Sequence, residues 1–167
     1  MDERYWMRFL ETLQHDVGLV VVLRGHLYVE AAIEALMLAK VPGCEPFLDA
    51  LHFGFARKLE VATVLGVVTP ECAKGVWALN KIRNDFAHDL KREDLTKADD
   101  GRMKGALSAR LAAKARDCVA FDPDRVVGGW ARAGIAAIHN DLQHALIALL
   151  VEQKHSARAA AASANDA

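Results

Sequence analysis

The spacing of apolar residues limits this chain more than any other feature. Almost everywhere they recur at steps of three and four, the period of a helix with one buried face. Between Asp16 and Lys40, Gly18, Val22, Gly25, Val29, Ala32 and Leu36 form one such stripe. Val41-Pro42-Gly43 ends it, because proline and glycine both disfavour continuation. A second segment starts near Pro46, buries Leu48, Leu51, Phe55, Leu59 and Ala62, and stops at Gly66. Thr69-Pro70-Glu71 reads as a third helix start, with a threonine cap, a proline in the first turn and an acid at the positive end of the dipole. That helix is expected to reach His88 or Leu90, with Leu79, Ile82, Phe86 and Leu90 on its core stripe. Lys91 to Gly101 is charged and reads as a loop with one short turn at most.

A fourth helix is predicted from about Met103 to Val119, using Met103, Leu107, Leu111, Ala115 and Cys118. Phe121 to Gly129 is a connector, and the last helix begins near Trp130. There Ala131, Ile135, Ile138, Leu142, Ala145 and Leu149 make a heptad-like seam that suits a long bundle helix. A short helix over Glu3 to Gln14 precedes all of these, and no strand or internal repeat stands out. The expected fold is therefore all-α: an up-and-down bundle of about five main helices with appended ones, joined by short connectors. Residues 1–155 form a single domain in this reading, and residues 156–167 a flexible Ala/Ser-rich tail.

A chain of 167 residues supports one substantial core. Its net charge of −1 does not suit a general polyanion binder, so any nucleic-acid contact must come from a local patch. Arg102, Lys104, Arg110, Lys114 and Arg116 follow one another with no intervening acid. They read first as a solvated helix face and second as that patch. The three cysteines, Cys44, Cys72 and Cys118, are far apart and fit small core positions in a reducing compartment. The start of the chain lacks the pattern of a signal peptide, and the longest strongly apolar run, Val17 to Leu23, is far shorter than the roughly 20 residues of a membrane span. A cytoplasmic protein without a membrane segment is expected. No Gly-rich phosphate loop, Ser-His-Asp set or zinc spacing is present, so neither cofactor nor metal is expected.

Other polar groups read as structural. His26, Glu30 and Glu34 step by four along one surface line, beside Arg24, which is placed to join a shared cleft. Lys81, Asp85 and Asp89 suggest an exposed ion-pair ladder. His139 and His144 face different ways, and Glu152 and His155 have no second copy to complete a metal site.

Arg83-Asn84-Asp85-Phe86-Ala87-His88 is different. Trp77, Asn84 and His88 fall together opposite the core stripe, where lysine and glutamate would be ordinary. Asn84 and His88 are four apart, close enough for the amide to orient the ring. Arg83 and His88 are five apart, roughly 140° around an ideal helix, so they converge only through a distortion near Ala87 or across a dimer.

These six residues resemble the R-x4-H motif of HEPN domains, including the polar residue after the arginine. The pattern of likeness runs from about Val17 to Leu90. Arg24-Gly25-His26-Leu27 and Leu65-Gly66-Val67-Val68-Thr69-Pro70 are also similar to the mannitol-operon repressor group, whose members are helical. The first resemblance implies a metal-independent endoribonuclease acting as a homodimer through the Trp77/Asn84/His88 face. It further implies a toxin or defence effector whose RNA-cutting is restrained by a neutralising partner protein. The second implies a non-catalytic helical regulator working through protein–protein contacts.

The chemistry has its own logic. Cleavage of RNA by its 2′-hydroxyl needs a base for that proton, an acid for the departing 5′-oxygen and positive charge on the crowded phosphate. Histidine titrates near neutral pH, and arginine offers a planar fork to phosphate oxygens. The expected catalytic residues are His88 in proton transfer, Arg83 on the phosphate and Asn84 positioning His88. The products would be a 2′,3′-cyclic phosphate and a 5′-hydroxyl.

Overall fold

The computed structural model describes residues 3–49, 53–117, 123–124 and 126–165. Among them the chain forms eight helices and no strand: α1 (Glu3–Leu13), α2 (Gly18–Lys40), α3 (Glu45–Leu48), α4 (Phe55–Val64), α5 (Pro70–His88), α6 (Lys97–Ala106), α7 (Ala109–Arg116) and α8 (Gly129–Asn165). The all-α expectation holds. The helices organise around α2 and α8, with α1, α4 and α5 also packed on α2, and α5, α6 and α7 on α8. Val21, Val22, Val29, Ile33 and Leu36 of α2, Val76, Leu79, Ile82 and Phe86 of α5, and Ile135, Ile138 and Leu142 of α8 supply much of one continuous core. Gly25 sets the α2–α8 spacing, since a Cβ there would lie 3.0 Å from Cγ2 of Ile135.

The start of α5 forms as its sequence dictates. Thr69 Oγ1 accepts the Cys72 amide at 3.2 Å, and Pro70 occupies the first turn, where no amide donor is needed. Its end falls at the nearer of the two expected limits. Asp89 turns extended and its carboxylate takes the Lys91 amide at 3.1 Å, so the helix stops at His88. Leu90, expected on the core stripe, is carried off it and left 97% exposed.

Two predicted helices are interrupted. The segment from Pro46 to Gly66 divides into α3 and α4, because Gly54 adopts an extended conformation and caps α4. Leu48, Leu59 and Ala62 are buried as expected, Phe55 is half-buried, and Leu51 lies outside the described residues. The predicted Met103–Val119 helix breaks where Leu107 turns extended and Ser108 Oγ takes the Leu111 amide at 3.3 Å. Met103, Leu107, Leu111 and Ala115 are buried all the same, while Cys118 lies outside the described residues.

The stretch read as a loop holds the start of α6. Thr96 and Asp99 form a reciprocal capping box: the Asp99 carboxylate accepts the Thr96 amide at 2.8 Å, and the Thr96 hydroxyl accepts the Asp99 amide. Asp99 is 1% exposed and paired with Arg92. Burial opposes its ionisation, but Arg92 and Thr96 outweigh that and hold its pKa below the usual carboxylate range. The loop before α6 also clamps the start of α2, where the Leu19 amide donates to the Glu93 carbonyl at 2.8 Å. Gly18 is required there, because a Cβ would come within 2.5 Å of the Leu95 nitrogen.

The last helix divides along its length. Trp130, Ala131, Ile135, Ile138 and Leu142 are core, whereas Ile147, Leu150 and Val151 are about half exposed. The helix continues to Asn165, through the segment read as a flexible tail. By length and composition Gly129–Ala160 is the one helix among the described residues long and apolar enough to cross a membrane, though its first half is bundle core. Searching for unbroken apolar runs misses it, because its apolarity is spread among alanines and polar residues.

His139 sits inside α8 with no exposed surface, stacked on Phe9 at 4.1 Å between centroids and ringed by Tyr5, Trp6 and Tyr28. Its Nε2 meets the Tyr5 hydroxyl at 3.2 Å, while Nδ1 is unpaired. This cluster docks α1 onto α2 and α8. Burial depresses the His139 pKa to about 4 from an ordinary 6.5. Between those values the unfolded chain binds a proton that the folded chain excludes, so stability falls as pH drops from 6.5 towards 4. The loss is on the order of 3 kcal/mol from this one group. Burial lowers His26 as well, so it adds to the same window. Urea unfolding at pH 7 and pH 4.5 should show the decline, and His139→Phe should remove most of it. An unchanged pH dependence in that variant would rule His139 out as the source.

Candidate functional site

The motif residues divide by what they do locally. Phe86 is buried, with the Arg92 guanidinium 4.2 Å from its ring centre. Asp85 accepts Arg102 Nη1 at 2.6 Å and lies 4.0 Å from Arg92, so its carboxylate ties the end of α5 to the α6 segment. The expected ladder from Lys81 to Asp85 is replaced by these partners. Folding thus accounts for Asp85 and Phe86. It gives no comparable duty to Arg83, Asn84 or His88.

Arg83 and Asn84 line a cleft of about 720 Å³ between α2, α4 and α5. Arg83 Nη1 donates to Asn84 Oδ1 at 3.1 Å, so the amide expected to orient His88 is engaged by the arginine instead. The α5 backbone remains helical through His88. Without a distortion at Ala87 the five-residue offset persists, and His88 is exposed and outside the lining of this cleft. One chain alone does not unite Arg83 with His88. Trp77 is 40% exposed on the same helix, consistent with the outward face expected for it.

The cleft holds a different histidine. His26 lies on α2, 5% exposed, with the Phe55 ring 4.0 Å away. Its Nε2 is 3.3 Å from Asn80 Oδ1, and an amide oxygen can only accept, so this contact puts a proton on Nε2. Its Nδ1 is 3.9 Å from Glu30. Burial lowers the His26 pKa, opposed by Glu30 and the Asn80 contact, while nearby Arg83 lowers it further. Asn80 stands one turn before Asn84, so α5 presents two amides and a guanidinium to one cavity.

The sequence reading placed His26, Glu30 and Glu34 on a surface line. The line exists, but Lys58 from α4 covers it, with Nζ 2.8 Å from Glu30 and closer still to Glu34. Covering that line encloses His26. The signal available in sequence was the four-residue step from Asn80 to Asn84 facing an α2 histidine, a pairing that needs the helix packing to be known.

The basic run from Arg102 to Arg116 is not a free patch. Arg102 is held by Asp85, and Lys104 lies 3.4 Å from Asp124 and over the Trp130 ring. Arg110 and Lys114 share Asp141, and Arg116 lies 5.2 Å from the Trp130 ring centre. Each cation is occupied within the fold. Cys72 is buried with its thiol pushed up to about 12 by burial, which removes it as a nucleophile.

No protein-family model matches the chain, and neither a curated protein nor a solved structure does.

Proposed function

We propose that the chain is an endoribonuclease of HEPN type, cleaving RNA by attack of its own 2′-hydroxyl without a metal. The observation that carries this reading is the shared cleft of Arg83, Asn84, Asn80 and His26, where a cation, two amides and an imidazole adjoin a cavity of phosphate-accommodating size. Arg83 holds the non-bridging phosphate oxygens as negative charge grows on them. Asn84 steadies the guanidinium. His26 lines the same space, but its Nε2 proton is given to Asn80, so it fixes that amide at the cleft wall rather than donating to the phosphate.

His88 stands at the end of α5, outside its own cleft, so its part in proton transfer requires a second copy. In a homodimer through the outward face of α5, His88 of each chain would serve the Arg83 of the other. A toxin or defence role, restraint by a neutralising protein and a cytoplasmic setting follow from the same reading. Each is testable by growth arrest on expression.

The decisive experiment mixes two inactive variants. Arg83→Ala and His88→Ala chains, each inert alone on RNA in EDTA, should recover activity when refolded together, because mixed dimers retain one intact Arg83–His88 pair. Unchanged cleavage by His88→Ala would remove that residue from the chemistry. A second reading is a non-catalytic helical regulator similar to the mannitol-operon repressor group. It is favoured by the in-chain engagement of Arg83 with Asn84, and a dimer that forms but cuts no RNA would decide for it.

A further inference from the structure

We propose that single-stranded RNA reaches the Arg83 cleft along a groove over α1 and α2, held by Arg8 and Arg24. This inference rests on the ribonuclease reading and supplies the local patch that a chain of net charge −1 requires. Three concavities join end to end. The Arg83 cleft shares Leu27 with a second hollow of about 450 Å³ lined by Arg8, Arg24 and Tyr28. That hollow in turn shares Arg8 and Tyr28 with a third of about 390 Å³, which Arg4 and Tyr5 also line.

Charge along this path favours a polyanion. Arg8 and Arg24 are exposed, and no ion pair engages either among the described residues. Of the acids lining the path, Glu30 shares Lys58 with Glu34, which leaves that group one net negative charge, and Glu11 is the other; Arg8, Arg24 and Arg83 outweigh them. Between the cations lie apolar surfaces: Leu27, 61% exposed, and the half-buried Tyr28 ring, packed edge-on against Tyr5 at 5.2 Å. Alternating guanidinium and ring or aliphatic faces suit a backbone whose bases are unpaired and free to stack. A duplex presents no such bases. The continuity of the hollows with Arg83 singles out a strand over an anionic membrane or an acidic peptide, which would need no path to that cleft.

The test uses the full chain carrying His88→Ala, so that substrate survives, and a fluorescein-labelled 15-nucleotide single-stranded RNA followed by anisotropy. Each phosphate contact contributes about 0.7 to the log–log salt slope for a single strand, or about 5-fold in affinity at 0.1 M salt. Adding Arg8→Ala and Arg24→Ala together should weaken binding about 25-fold and flatten the slope by about 1.4. Lys154→Ala with Arg158→Ala removes the same charge from the far end of α8 and should change affinity less than 3-fold, roughly the ordinary scatter of a surface change. Equal loss in both double variants, or none in the first, would overturn the groove. So would binding to vesicles containing phosphatidylserine in the absence of RNA binding. The two proposals fail separately: RNA bound along the groove but never cut sinks the nuclease, whereas efficient cutting by the Arg8/Arg24 variant with His88 intact sinks only the groove.

Discussion

Replacing Arg83 by alanine is expected to lower RNA cleavage by roughly 100- to 1,000-fold while leaving the melting temperature almost unchanged. The guanidinium is exposed and its recorded partner is the neighbouring Asn84, so folding asks little of it. Cleavage asks much more, because charge on the phosphate peaks in the transition state and a fixed cation is worth most there. Arg83→Lys should recover part of the rate at best, since an ammonium cannot span two phosphate oxygens. Product analysis by gel in EDTA, beside thermal unfolding of the same samples, checks both halves. A large drop in stability with the rate per folded molecule preserved would make Arg83 structural.

The largest effect on stability is expected at Asp99. Its carboxylate accepts the Thr96 amide and hydroxyl, pairs with Arg92 and lies 3.7 Å from Arg102. Asp99→Ala removes one end of the capping box and leaves Arg92, half-covered beneath the loop, without its main counter-charge. Breaking a buried pair from one side costs about 3–5 kcal/mol, a large share of the roughly 5–15 kcal/mol that stabilises a typical domain. Asp99→Asn retains an acceptor oxygen for the cap and should cost less. Urea midpoints order the three proteins, and a loss below about 1 kcal/mol in the alanine variant would place this network among weak surface pairs.

Much of the fold was legible because local rules and tertiary packing agree. Thr69-Pro70 starts α5 where capping chemistry says it should, and the α2 stripe of Val22, Gly25, Val29, Ala32 and Leu36 is buried in full. The misreadings fall where periodicity continues across a backbone break. Met103, Leu107, Leu111 and Ala115 keep a four-residue step and are all buried, yet Leu107 is extended between two helices. Spacing records which side chains go inward and is silent on whether the chain between them is continuous. Thr96-x-x-Asp99 did announce α6, but in a stretch too polar for its apolar pattern to draw notice.

The candidate site was half legible. Arg83 and Asn84 could be chosen by type and spacing, and both line the cleft. His26 could not, because its burial depends on Lys58 closing over Glu30 and Glu34 from a separate helix. The basic run at 102–116 misled for the mirror-image reason. Its counter-charges, Asp85, Asp124 and Asp141, come from elsewhere in the chain.

Asp85 and Phe86 hold the last turn of α5 in place, and the residues on either side of them do not. On the nuclease proposal, a lineage that abandoned the chemistry could therefore shed Arg83 and His88 with little harm to folding, yet would be penalised for losing the pair between. Among descendants, an intact Asp-Phe flanked by replaced ends would mark a retired enzyme, and an unbroken sextet one still under selection for its reaction.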